Sequence, residues 1–188
     1  LLMEQMELRG DILLEAQKAF TEGKEQDFPI EELLLDFKKS CHGRWDIMQI
    51  YLEILIQACF VDGAIQKPQI AILAKVADTL GFERKDLDRL IVAFQAEFRF
   101  HKGRQKDAKN EDYSLQHQLV DAYKILGLSP KTDLPAIKSR YKKLMLQHHP
   151  DKLRAKGLPQ QAMDHAKKRT QEIQAAYELV KKHKQKTA

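Results

Sequence analysis

Apolar residues recur along the chain at intervals of three and four rather than in alternation, and that period predicts helices almost throughout. Ile12, Ala16 and Phe20 mark a first short helix, which Asp11 can cap and Gly23 can end. Pro29 suits the first turn of a second helix with Ile30, Leu33, Leu34 and Phe37 on one stripe. The third segment is the most apolar. Ile47, Ile50, Tyr51, Ile54, Leu55 and Ala58 share one face, and Leu52, Ile56 and Phe60 widen it. A helix apolar over most of its circumference is buried on several sides, so this one is expected at the centre of a first domain, ending at Asp62-Gly63. Two more amphipathic helices follow. One carries Ile70, Leu73, Ala74, Ala77 and Leu80 and stops at Gly81; the other carries Leu87, Leu90, Ile91, Phe94 and Phe98.

From Arg99 to Ser114 the apolar period lapses into a charged stretch, which predicts a flexible linker over 99–114 between an all-α domain, 1–98, and a second domain, 115–188. In the second domain, Leu115, Leu119, Ala122, Tyr123 and Leu126 predict a short helix closed by Gly127. Thr132 or Asp133 can cap the next helix, with Pro135 in its first turn and Ile137, Tyr141 and Leu144 on its stripe as far as about His148. A last helix is expected from near Pro159. Its stripe of Met163, Ala166, Thr170, Ile173, Tyr177 and Val180 suits one antiparallel neighbour.

Composition supports helix. Charged residues make up 31% and aromatics 7%, too few aromatics and too little alternation for a sheet protein. The net charge of +5 conceals an asymmetry. Residues 119–188 hold 16 Lys and Arg against 6 Asp and Glu, a net +10, while 1–118 hold 16 against 21, a net −5. A basic segment points to an acidic partner surface, protein or nucleic acid. Cys41 and Cys59 form no C-x-x-C pair and read as two buried thiols. The longest apolar run, Ile47 to Val61, is broken by Gln49, Glu53 and Gln57, so no membrane span is expected within the chain. No signal peptide is visible, and the opening Leu1-Leu2 in place of Met reads as a fragment of something longer.

One short motif carries chemistry: His148-His149-Pro150-Asp151-Lys152, between two amphipathic helices. A metal site is one reading, but Pro150 and the short spacing keep three ligands from converging easily, and no metal is expected. A hydrolytic dyad is another, without a nucleophile in context or a catalytic turn. A polar inter-helix turn, with Asp151 capping the segment after it, is the third, and a recognition turn the fourth. The helix before it places Lys138 and Lys142 four apart on one face, with Tyr141 and Lys143 at its borders. From Lys138 to Lys152 the only acid is Asp151.

Four blocks in order decide among these. Ala122 to Gly127, Ile137 to Leu144, His149-Pro150-Asp151, and Ile173 to Glu178 together resemble a J domain over about 119–183. That resemblance implies docking on the ATP state of an Hsp70, with the basic helix on an acidic patch and the His-Pro-Asp turn near the interdomain linker. Faster ATP hydrolysis by the partner would follow. Lys138, Tyr141, Lys142, Lys143, His149, Pro150 and Asp151 would form the docking site, with Asp151 pairing with a basic residue of the Hsp70. The match has departures. Thr170 stands where the family has a core Phe, Arg140 replaces a small residue, Leu153 to Pro159 form an unusually tight turn entry, and the antiparallel hairpin has no fourth helix.

The first domain carries its own resemblance. Phe60 to Ile65, then a helix, then Leu80-Gly81-Phe82 is similar to the TerB-like helical fold, although Gln69 stands about where such domains carry a Glu. With Ala19-Phe20 to Gly23-Lys24 and Cys41 to Asp46, the whole resembles the membrane-anchored DnaJ-like protein A family of Gram-negative bacteria. That family implies a single N-terminal membrane segment, a cytosolic face at the inner membrane and a homodimer through that segment. The chain itself, as a trimmed soluble piece, would make no membrane contact. No cofactor is expected, and an enzyme with its own active site is the least favoured class. A nucleic-acid-binding module or an interaction scaffold using the basic segment stands as the alternative, but no aromatic interleaving supports the former.

Overall fold

Every element expected from the apolar period forms, and the chain is all-helical, with no strand among the described residues. The structure, a computed structural model, describes residues 9–25, 27–60, 64–106, 115–158 and 160–187. The chain divides into two compact units, Leu1–Glu83 and Arg84–Ala188.

The first unit holds α1 (Gly10–Glu22), α2 (Ile30–Ser40), α3 (Trp45–Cys59) and α4 (Lys67–Leu80). As its width of apolar face requires, α3 is central, and Ile50, Leu52 and Ile56 are fully buried. It ends at Cys59; Asp62-Gly63 lie outside the described residues. Phe37 of α2 packs on Tyr51 with ring centroids 4.5 Å apart. Gly81 closes α4 at φ 96°, a left-handed conformation that a side chain would strain, and its N–H donates to the Ala77 and Asp78 carbonyls. Just beyond it Phe82 packs on Trp45, centroids 4.3 Å apart. Gln69 has a local role: its Oε1 accepts from the Gln66 N–H at 2.7 Å, one half of a capping box for α4. Two expectations change. Asp11 lies inside the first turn of α1 and does not cap it, and neither Ile12 nor Phe20 is buried. Leu33 is exposed and only Leu34 of α2 is fully inside.

The second unit holds α5 (Arg84–Lys106), α6 (Leu115–Leu126), α7 (Leu134–His148), α8 (Pro150–Ala155) and α9 (Gln160–Thr187). Asp133 rather than Thr132 caps α7, its Oδ1 accepting from the Ala136 N–H at 3.0 Å. Lys184 near the end of α9 reaches the Pro130 carbonyl ahead of α7, and Tyr177 stacks on Tyr141. As one number falls the other rises, so α7 and α9 run antiparallel. Between them lie Ile137, Leu144, Ile173 and Val180, in one cluster with Ala122, Ile125 and Leu126 of α6.

The linker expected over 99–114 is not what the structure holds in its first part. Residues 99–106 continue α5, and 107–114 lie outside the described residues. Ala96 and Phe100 of α5 enter the same cluster as α6, α7 and α9. The buried face therefore changes along α5: Leu87, Ile91 and Phe94 lie on one side, Ala96 and Phe100 on the other, and Phe98 is 39% exposed. The charges that disguised this end of the helix are used: Arg99 grips Asp121 of α6 through Nε at 3.1 Å and Nη2 at 2.6 Å.

Arg140, out of place in the sequence pattern, also has a structural task. Its Nε donates to the Leu126 carbonyl at 3.0 Å, satisfying the end of α6 beside Gly127, which is left-handed at φ 64°. Burial, and then the neighbouring Arg89, push its pKa down, so the guanidinium is held there against an electrostatic cost. Arg140→Ala is expected to cost ~1–2 kcal/mol, read as a lower urea midpoint with an unchanged slope.

Candidate functional site

Proline disfavours helical backbone in the residue before it, and His149 accordingly adopts φ −66°, ψ 124°. That single extended residue ends α7 and begins α8. Pro150 fills the first position of α8, where a missing N–H costs nothing. The cap of α8 is the histidine and not the aspartate: His149 Nδ1 accepts from the Asp151 N–H at 3.2 Å. An Nδ1 that accepts has no proton, so the neutral ring carries its proton on Nε2. The Asp151 carboxylate stands 3.8 Å from the same nitrogen. Its side chain is 80% exposed and that of His149 48%, so both offer polar atoms to an incoming surface.

The turn is held from below. Leu153, two residues past Asp151, is fully buried, and the Lys152 and Leu153 N–H groups donate to the His149 carbonyl at 3.0 and 3.2 Å. His148 is 1% exposed and His149 faces out, so the adjacent histidines do not converge. No group of three or more metal-ligating side chains occurs among the described residues.

Lys138, Lys142 and Lys143 are exposed on α7, and Lys152 is exposed on α8. Tyr141 is half-buried. Its ring stacks on Tyr177 with centroids 4.1 Å apart and planes 13° apart, which fixes the face between the lysines. The seven residues expected at the docking site thus lie on one helix and the turn that ends it. Sequence reasoning missed α8 as a helix and the role of Tyr177 as the platform for Tyr141. The helical spacing from Thr170 through Tyr177 is the available signal for that platform. Thr170 is nearly buried, and its hydroxyl turns back onto the Lys167 carbonyl at 2.9 Å, so it adds no apolar bulk to the core.

A DnaJ domain model matches residues 121–188. The co-chaperone protein DjlA of Vibrio parahaemolyticus is 45% identical over 192 residues, covering 97% of this chain and 68% of its own length. Those of Yersinia pestis and Shewanella oneidensis are 42% and 45% identical, covering 97% and 96% of this chain and 69% and 66% of their own length. No solved structure matches the chain. Among the described residues no helix is long and apolar enough to cross a membrane.

Proposed function

Given that the chain belongs to the DjlA co-chaperone family, we propose that it docks its J domain on a DnaK-type Hsp70 and stimulates ATP hydrolysis by that partner. The observation that carries the reading is the exposed His149-Pro150-Asp151 turn at the end of a helix whose outer face is lysine. Lys138, Lys142 and Lys143 steer and hold an acidic surface. Asp151 supplies the one negative group, available for a charge-assisted contact with a cation of the partner. The reacting phosphate and its water belong to the Hsp70. The chain contributes a coupling free energy between its docking site and that active site. The whole protein would sit on the cytosolic side of a membrane, anchored and paired through a segment outside this chain; the chain spans about two thirds of its relatives.

Single-turnover ATP hydrolysis by a DnaK-type Hsp70, with the chain titrated in, tests the reading. Hydrolysis is expected to accelerate to a plateau, and no acceleration at any concentration overturns it. Because the lysines are exposed, added salt should raise the half-saturating concentration. Lys142→Glu with Lys143→Glu should raise it by about tenfold while leaving the plateau unchanged.

A further inference from the structure

The family match begins at residue 121, yet α5, which precedes it, is built into the second unit. Three contacts join α5 to α9 in register. The Phe94 ring lies over the His165 ring, centroids 6.0 Å apart and planes 20° apart. Glu97 pairs with Arg169, whose guanidinium also sits 4.6 Å over the Phe94 ring. His101 Nδ1 meets Glu172 at 2.8 Å. Positions 94, 97 and 101 share one face of α5, and 165, 169 and 172 share one face of α9. Both sets of numbers rise together, so these two helices run parallel.

The central pair is desolvated: the Arg169 side chain is 3% exposed and that of Glu97 15%. A buried ion pair adds little net attraction compared with an apolar pair, but misplacing either partner strands a charge. The contact therefore fixes the register of α9 more than it adds to overall stability. The half of α9 so fixed is the half beside the turn. Ala162, Met163 and Ala166 are buried there, α8 packs against α9, and Leu153 anchors α8 two residues after Asp151. On its other side α5 is held to α6 by Arg99 and Asp121.

We propose that α5 is a working part of the J domain, and that Phe94, Glu97 and Arg169 are positioning residues that hold the first half of α9, and through α8 the His149-Pro150-Asp151 turn, in the orientation the ATPase response needs. This rests on the Hsp70 reading above. None of the three lies on α7, so the lysine face that supplies affinity stays in place when the seam is altered. Positioning and docking thus separate as plateau and half-saturation.

The test titrates the full chain, as Glu97→Arg, as Phe94→Leu and as Glu97→Arg with Arg169→Glu, into single-turnover hydrolysis by a DnaK-type Hsp70, with helix content followed by circular dichroism. Glu97→Arg should lower the plateau by about tenfold and Phe94→Leu by about threefold, with half-saturation within about twofold of the parent. The charge exchange should recover most of the plateau. An unchanged plateau in folded variants overturns the proposal, as does a loss confined to half-saturation or one that only tracks the unfolded fraction. Should Glu97→Arg lose its helix content, Phe94→Leu, which strands no charge, decides alone. His149→Gln run alongside separates the two failures. If it retains stimulation, the Hsp70 reading falls; if it loses stimulation while the seam variants keep theirs, only the role of α5 falls.

Discussion

With His149→Gln the full chain should leave Hsp70 hydrolysis near its basal rate, a fall of about 100-fold in stimulation or ~2.7 kcal/mol of coupling. The imidazole does two things at once. Its Nδ1 caps α8 by accepting from the Asp151 N–H, and its protonated Nε2 edge remains available to a partner. A glutamine amide at this place has to be ordered before it can do either, and it is not braced by a ring. Helix content should not change, because α7 and α8 keep their own backbone ladders and Leu153 stays buried. Asp151→Asn should behave alike for a different reason: the turn is kept and only the charge is lost. Plateau rates at saturating chain are the measurement, and retention of more than half the stimulation in either variant refutes the role given to the turn.

Ile173→Ala is expected to be the most damaging single core change in the second unit, costing about 2–5 kcal/mol. Ile173 is fully buried at the place where α5, α6, α7 and α9 all contribute to one cluster, so four elements line the void and none can close it alone. Hydrogen exchange resolves the effect by element. Amides of α7 and α9 should lose protection together, because their packing on one another stabilises both. Loss of protection limited to the last turns of α9 would mean that the cluster is not shared as described.

The fold is readable where burial and period coincide. The all-round apolarity of α3 announces its central place, and the alternating steps of α9 announce its antiparallel partner. The J domain is legible because its four blocks stand close together in the chain. What escapes is set by tertiary pairing. Glu97, Arg99 and His101 look like a solvated stretch in one dimension, and only their opposites on α6 and α9, more than twenty residues away, turn those charges inward. Arg140 is visible as a departure, but its carbonyl partner at Leu126 lies across a turn whose path the sequence does not specify. Residue type alone favours Asp151 as the cap of α8, because aspartate is the commoner cap. The extended backbone forced on His149 by Pro150 gives that task to the imidazole instead.

Trp45, packed on Phe82 beside Gly81, has an optical consequence. It is the single tryptophan of the chain, and it lies in the first unit, so the second unit contains none. Excited at the red edge of indole absorption, the chain emits from one place, with Phe82 on one side of the ring. Nothing on α7 or its turn contributes to this emission, because neither holds a tryptophan. A shift in its colour on mixing would therefore be a message from the first unit, the half of the chain to which no ligand has been assigned.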